Sequence, residues 1–288
     1  MLEAGVVTVS QNTTAWPRPF FMDSPHGRLF AVLHEPLGEI KGRGNVLVVP
    51  AFNEEMNRCR SMVTLQAQAL AALGFGTLTI DLLGTGESDG EYGDARWEIW
   101  IDNIRQAMAW LDAEPPGGCV ALLGIRLGVP LAIAALQKDL RPRGLVSWQA
   151  VSDGKSYFTQ FMRMRIASNM DRTDIPKETT AAMREQLAAG NSIEIAGYEL
   201  APELVSSIES IRLAECVPHE GIATAWFEKG SGEEFTISPA SQKLLTDWRQ
   251  AGRRIDAAAF DGPAFWALHE RHTAAELVAQ TSNWLQSI

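Results

Sequence analysis

The segment 120–136 constrains the fold of this 288-residue chain more than any other part. Four apolar residues, Val120–Leu123, are typical of a buried strand, and the motif Gly124-Ile-Arg126-Leu-Gly128 follows them directly. A helix of small residues is predicted over 127–136. Glycines on both sides of a central residue let a strand and the next helix pass closely, so the central side chain is held above the sheet edge. We therefore predict a sharp strand–turn–helix unit with Arg126 at its centre.

Strands and helices alternate on both sides of this unit. Short apolar runs predict strands over 28–34, 45–49, 77–80, 145–148, 223–227 and 255–260. Helical periodicity predicts helices over 62–73, 97–111 and 239–248, and a last helix through Leu277, Trp284 and Ile288. This alternation favours an α/β fold with a mostly parallel sheet flanked by helices. Residues 152–217 break the rhythm, and we interpret them as an inserted, mainly helical cap between two parts of one core, 1–151 and 218–288.

Composition limits the possible partners. Hydrophobic residues make up 46% of the chain, enough for one large core, and the net charge is -10 without a basic cluster, which argues against nucleic acid as a partner. We predict a cytoplasmic protein for three reasons. The three cysteines have no metal-like spacing, residues 1–11 show no leader pattern, and no apolar run is long enough to span a membrane. No dinucleotide or metal-ligand motif occurs, so we expect neither a cofactor nor a metal. The oligomeric state is left open.

Two further segments indicate a fold family. Asp81-Leu-Leu-Gly-Thr-Gly-Glu-Ser88 matches a loop that follows a sheet strand in α/β-hydrolases, and its glycines suggest an architectural role. Val46–Val49 followed by Pro50-Ala-Phe52 resembles the strand and loop that supply an amide of the oxyanion hole in that superfamily. With Gly124-Ile-Arg126-Leu-Gly128, the three segments stand in the order that the α/β-hydrolase fold requires.

A narrower resemblance covers most of the chain. The segments that carry it are Phe52-Asn-Glu-Glu-Met-Asn57, Gly124-Ile-Arg-Leu-Gly128, Gly154-Lys155, Ala196-Gly-Tyr-Glu-Leu200 and Gly262-Pro-Ala-Phe-Trp266. Together they resemble the exosortase A system-associated hydrolases of the second type. The resemblance implies an α/β-hydrolase fold, a place beside exosortase and exopolysaccharide genes, and the general designation hydrolase.

Arg126 stands where α/β-hydrolases normally carry Ser, Cys or Asp as the nucleophile. A guanidinium stays protonated and has no lone pair for attack on a carbonyl, so it serves neither as nucleophile nor as general base. Losing the nucleophile of a serine hydrolase lowers kcat by about 10⁶. The sequence therefore excludes the ordinary serine-hydrolase mechanism. The plainer alternative is that the two glycines only tighten a strand–helix crossing and that Arg126 is a surface residue.

The other members of a triad have weak candidates only. Three glutamates expected in the exposed loop after the strand 223–227 are possible acids: Glu228, Glu233 and Glu234. Glu55 is a possible base beside the oxyanion loop. No histidine occurs in Asp261-Gly-Pro-Ala-Phe-Trp266, where the base normally follows, and His269 is expected on the surface of the last helix. The catalytic residues are therefore left unassigned.

Two uses of Arg126 remain open. The backbone N–H of Leu127 at a helix N-terminus and an amide near Phe52, joined by a fixed cation, would bind a carboxylate or phosphate. Alternatively Arg126 pairs internally with Glu54 or Glu55 and plugs the pocket. The expected site residues are Arg126, Leu127, Phe52, Asn53, Glu54 and Glu55. The first use suits a non-standard enzyme or binder of an acidic small molecule, and the second a non-catalytic pseudohydrolase that serves as a binding or scaffold module.

Overall fold

A computed structural model describes residues 17–37, 42–113, 117–136, 142–170, 177–231 and 235–288. Its strands are β1 (Arg18–Met22), β2 (Leu29–His34), β3 (Asn45–Val49), β4 (Gly76–Ile80), β5 (Cys119–Ile125), β6 (Gly144–Trp148), β7 (Ile193–Ile195), β8 (Tyr198–Leu200), β9 (Ala223–Lys229) and β10 (Ile255–Phe260). Its helices are α1 (Glu54–Ala72), α2 (Trp97–Ala113), α3 (Gly128–Ala135), α4 (Gly154–Ser168), α5 (Thr180–Ala188), α6 (Pro202–Ser210), α7 (Pro239–Gln250) and α8 (Ala275–Gln286).

Among the described residues, eight strands form one sheet in the order β1-β2-β4-β3-β5-β6-β9-β10. Six of them, β4, β3, β5, β6, β9 and β10, run parallel, while β1 and β2 join one edge antiparallel. All residues of β3 and β6 are buried, as expected for central strands covered on both faces. The predicted mostly parallel sheet flanked by helices is therefore confirmed, and the short edge strand β1 is an addition to it.

Two hydrophobic clusters lie on opposite faces of the sheet. On one face α2 contributes Trp100 and Ile104 to a cluster that includes Leu47 of β3. On the other face α1 contributes Met62, which packs with Val48 of the same strand. The alternation of β3 side chains between the two clusters follows from the two-residue period of a strand. The carboxyl ends of the parallel strands meet between these layers, at the edge where Arg126 lies.

The described residues between β6 and β9 contribute no strand to the main sheet. They include α4, the β7–β8 hairpin, α5 and α6, and we call residues 152–217 the cap segment. Helix α4 begins at Gly154, and the Asp153 carboxylate caps it by accepting a hydrogen bond from the Ser156 N–H at 2.6 Å. Phe161 of α4 packs edge-to-face on Phe52, which joins the cap segment to the core. The division into core and cap at 151/152 and 217/218 stays a prediction.

Within the described residues, no helix is long and apolar enough to cross a membrane. The expected cytoplasmic location stays a prediction.

Candidate functional site

The turn between β5 and α3 has the geometry that its two glycines require. Arg126 has a φ of 55°, and its N–H donates to the Trp148 carbonyl at 3.0 Å. A Cβ on Gly124 would lie 2.7 Å from the Cα of Val129, and a Cβ on Gly128 would lie 2.5 Å from the Pro50 carbonyl oxygen. Both glycines are therefore needed because backbone approaches them closely, and Arg126 is pushed inward by the turn.

Three residues with positive φ converge on this turn. Asn53, Arg126 and Gln149 have φ values of 50°, 55° and 47°, in a region that residues other than glycine rarely adopt. Each such backbone costs about 1–3 kcal/mol and persists only where its surroundings enforce it, which happens most often at functional sites. The strained backbone therefore indicates a candidate functional site at this edge of the sheet.

The Arg126 side chain is paired inside the protein. Its Nε donates to Glu55 Oε1 at 3.0 Å, and its Nη1 donates to the Gln149 carbonyl oxygen at 3.1 Å. The exposed fractions of the two charged side chains are 13% for Arg126 and 10% for Glu55. Of the two glutamates considered from the sequence, Glu55 is the partner. Arg126 is not the surface residue of the plainer alternative.

Two aromatic rings cover the guanidinium. Its central carbon lies 5.4 Å from the ring centre of Tyr157 on α4 and 5.4 Å from that of Trp266, in the loop after β10. Both rings are themselves buried. Cation–π attraction of this kind stabilises a desolvated cation by about 2 kcal/mol. The arginine is thus held by one carboxylate, one carbonyl and two rings drawn from four separate parts of the chain.

Glu55 accepts a second strong hydrogen bond. The Tyr157 hydroxyl donates to Glu55 Oε2 at 2.6 Å. Burial raises the pKa of Glu55, while Arg126 and the Tyr157 hydrogen bond oppose the rise. Burial and the neighbouring Glu55 also raise the pKa of Tyr157 well above its ordinary value, so the phenol remains a donor.

Asn53 and Glu54, at the start of α1, accept hydrogen bonds from the other two tyrosines. Tyr198 of the β7–β8 hairpin donates to Glu54 at 2.9 Å, and burial together with this acceptor raises the pKa of Tyr198 to about 12. Tyr92 donates to the Asn53 side-chain oxygen. The chain has only three tyrosines, and all three bind residues 53–55.

A small cavity of about 10 Å³ borders this network, with room for about one water molecule. Phe52, Asn53, Tyr92 and Leu127 are among its walls. The side-chain nitrogen of Asn53 is buried and has no partner among the described residues. The expected site residues Phe52, Asn53 and Leu127 therefore lie together, around a space too small for a substrate.

Of the three candidate acids, Glu233 and Glu234 lie outside the described residues, and Glu228 is not in the exposed loop where it was expected. It lies within β9, is buried, and accepts from Trp226 Nε1 at 3.1 Å and from the Ser238 N–H at 3.0 Å. The strand runs two residues further than its apolar run, because these two donors satisfy a carboxylate inside the core. Glu228 therefore fixes the loop before α7.

His269 is exposed, as expected, but the prediction that it lies on the last helix is wrong. Helix α8 begins at Ala275, and His269 lies in the preceding loop. The same loop sends Trp266, not a histidine, to Arg126. An imidazole at position 269 therefore does not form part of the Arg126 cluster.

The Asp81 loop is architectural in the structure. Asp81 accepts from the Glu87 N–H at 3.1 Å, and the Ser88 hydroxyl donates to the Asp81 carbonyl at 2.6 Å. Gly84 and Gly86 have φ values of 75° and 54°. In the part of the chain that is described, no group of three or more His, Cys, Asp or Glu residues is placed to hold a metal ion.

Comparisons with known proteins agree with this architecture. Est1E from Butyrivibrio proteoclasticus, solved with ferulic acid, superposes with a TM-score of 0.59 at 14% identity, over 93% of this chain and 96% of that one. The α/β-hydrolase GrgF from Penicillium sp. sh18 superposes with a TM-score of 0.61 at 15% identity, over 94% and 98%. At such identities the likeness shows the fold alone.

Sequence comparison adds a short match and a family. An uncharacterized 31.7 kDa protein from the traX-finO intergenic region of Escherichia coli is 32% identical over 90 residues, which is 31% of this chain. The match spans only 32% of the length of that relative. A family model described as "Serine aminopeptidase, S33" matches residues 40–188, slightly more than half of the chain. The chain therefore belongs to the serine aminopeptidase S33 family of the α/β-hydrolase superfamily.

Proposed function

We propose that this chain is a non-hydrolytic member of its family, a binding or scaffold module in which Arg126 replaces the nucleophile. The observation that carries the proposal is the internal ion pair of Arg126 with Glu55 at 3.0 Å, covered by Tyr157 and Trp266. Hydrolysis by acyl transfer needs a nucleophile, a base and room for the acyl group. At this turn the guanidinium is no nucleophile, and the cavity that borders Leu127 holds only about one water molecule.

The charges of the site support the same conclusion. A free cation beside the Leu127 N–H would favour an anionic ligand. Here Arg126 already has a carboxylate partner, so a bound anion would have to break a largely buried pair. Breaking such a pair costs about 3–5 kcal/mol. The internal pair of Arg126 with Glu55 is therefore favoured over the use of Arg126 as an anion-binding residue.

Binding of an acidic small molecule by Arg126 is the second candidate. The unpartnered Asn53 amide nitrogen and the start of α3 at Leu127 favour it, because both offer donors to one small cavity. An anion would enter this cavity only if Glu55 withdrew from Arg126. The experiments below separate the two candidates.

A biological context is proposed from the motif resemblance alone. The segments shared with the exosortase A system-associated hydrolases support a role beside exopolysaccharide production. Deleting the gene in its source organism should then lower exopolysaccharide output, and the wild-type gene should restore it. Unchanged output would remove this part of the proposal.

The absence of hydrolysis is tested with a serine-reactive fluorophosphonate and with p-nitrophenyl esters. The purified chain should give no labelled band and no ester turnover above that of the Arg126→Met variant. A catalytically competent serine esterase of the same fold, treated in parallel, shows that the probe works. Labelling of any serine with turnover that the fluorophosphonate abolishes would refute the proposal.

Anion binding is tested by thermal unfolding. Acetate and phosphate are compared with chloride at constant ionic strength, for the wild type and for Arg126→Met. A plugged site predicts the same small shifts in Tm for both proteins. A stabilisation by phosphate or acetate that disappears in Arg126→Met would instead establish the second candidate.

A further inference from the structure

A second cavity lies on the α1 face of the sheet, and its lining includes Met56 and Ile125, which are next in sequence to the Arg126–Glu55 pair. Its volume is about 230 Å³, and Val32, Val48 and Val63 are among its apolar walls. An engineered apolar cavity of about 150 Å³ is large enough to bind benzene. The space under α1 therefore suits a ring-sized molecule with a few additional atoms.

The wall of this cavity also carries a polar pair. Arg60 Nη2 lies 3.3 Å from Asp81 Oδ1, with Arg60 half exposed and Asp81 largely buried. The rest of the lining is neutral: burial lowers the pKa of His34 and raises the pKa of the Cys59 thiol. The cavity thus combines aliphatic walls with one donor and one acceptor that already compensate each other's charge.

We propose that this cavity binds a small neutral molecule with an apolar ring or chain and one hydroxyl group. A hydroxyl both donates and accepts, so it bonds to the Asp81 carboxylate and to the Arg60 guanidinium together. A carboxylate on the same ring would meet Asp81, and an ammonium would meet Arg60. The ion pair of Arg60 with Asp81 therefore selects the uncharged head group.

The test uses three probes with the same ring. Benzyl alcohol, benzoate and benzylamine differ chiefly in the charge of the head group, and their binding is measured by isothermal titration at pH 7. Benzyl alcohol should bind with a Kd of about 1 mM, the scale expected of a ligand of this size. Benzoate and benzylamine should bind at least about fivefold more weakly. Repulsion between two like charges at close range is large enough to cause a difference in Kd of this size. Equal binding of all three, or none at 10 mM, would overturn the proposal.

Two valine variants locate the site. Val63→Phe fills the cavity and should weaken benzyl alcohol binding by about tenfold or more, as expected when the ligand's space is taken. Val278→Phe makes the same change at another half-buried position, on α8 outside the cavity lining, and should leave the Kd within about twofold. Unchanged binding in a folded Val63→Phe protein would place the ligand elsewhere and refute the site.

A third variant tests how the Arg60–Asp81 pair recognises the head group of the ligand. Arg60→Met leaves the Asp81 carboxylate without its cation, so benzyl alcohol should bind more weakly and benzylamine more tightly than to the wild type. Hydrogen exchange of the wild type with benzyl alcohol gives an independent readout if a variant does not fold. Slower exchange should be confined to the elements that line the cavity, which are β2, β3, β4, the end of β5 and the first half of α1. Slowing only at Tyr157 and Trp266, on the other side of Arg126, would contradict the proposal.

Discussion

The pairing of Arg126 with Glu55 makes a quantitative prediction for the free energy of unfolding. The perturbation is a double-mutant cycle of Glu55→Gln, Arg126→Met and the two together. Glutamine retains the acceptor for the Tyr157 hydroxyl, and methionine retains most of the apolar stem of arginine. The cycle therefore isolates the charge–charge part of the contact.

The magnitude follows from the exposed fractions of 13% and 10% and the separation of 3.0 Å. At an effective dielectric constant of 20, unit charges about 4 Å apart interact by about 4 kcal/mol. Glu55→Gln removes the attraction to Arg126 but also the cost of burying a carboxylate, so this single change should cost less than the coupling energy. In Arg126→Met the unpaired Glu55 can take up a proton, which limits the cost of that change. We expect a coupling energy of about 2–4 kcal/mol.

The assay is urea unfolding followed by circular dichroism and tryptophan fluorescence at pH 7. The matched control is the surface pair Arg105–Asp102, joined at 3.2 Å one helical turn apart with exposed fractions of 29% and 48%. Its cycle should give a coupling of about 0.3–0.5 kcal/mol. If the Glu55–Arg126 coupling is no larger than that of the control, the pair does not hold this site together and the plug is the wrong interpretation.

Three further predictions concern single residues. Burial raises the pKa of Glu55 above 4.5. The stability of the wild type relative to Glu55→Gln should therefore fall as the pH rises from about 4.5 through the folded-state pKa. An increase in this stability difference over that range in urea titrations would contradict the prediction. Gly128→Ala should lower the free energy of unfolding by about 3 kcal/mol, since its Cβ would overlap the Val49 carbonyl, whereas Gly221→Ala, with φ 90° and open space, should lose only about 1–2 kcal/mol. His269→Ala should change the stability by less than about 0.5 kcal/mol and leave ester turnover unchanged, so a marked effect of either kind would show a role that its exposed loop position does not suggest.

Local patterns are sufficient to predict the turn at Arg126. The apolar run of β5 and the two flanking glycines are contiguous, and close backbone approach explains why each glycine is needed. The beginning of α1 is less predictable. Periodicity places a helix from Met62, whereas the helix begins at Glu54, because polar residues of its first two turns face the site and the cap segment. The choice between Glu54 and Glu55 depended on that start.

The aromatic cover of Arg126 could not be predicted from local patterns. Tyr157 and Trp266 are 31 and 140 positions away from Arg126 in the sequence, and neither belongs to a local motif that specifies the contact. Two signals were present: Trp266 and Tyr198 each lie in a segment that carries the family resemblance, and the chain has only three tyrosines. Because phenols combine a large apolar ring with one donor, a few tyrosines near a predicted buried carboxylate are reasonable candidates for its partners.

Under our proposal the strained backbone at this site has a structural role and not a catalytic one. In a hydrolase with a serine at the turn, a positive φ presents the hydroxyl to the substrate. Here the same conformation directs the Arg126 side chain towards Glu55, while Gln149, also strained, turns its carbonyl to the guanidinium. A relaxed turn would break both contacts and leave a carboxylate and an arginine without partners inside the protein. The strained turn is then maintained by the stability of the buried pair, without any need for catalysis.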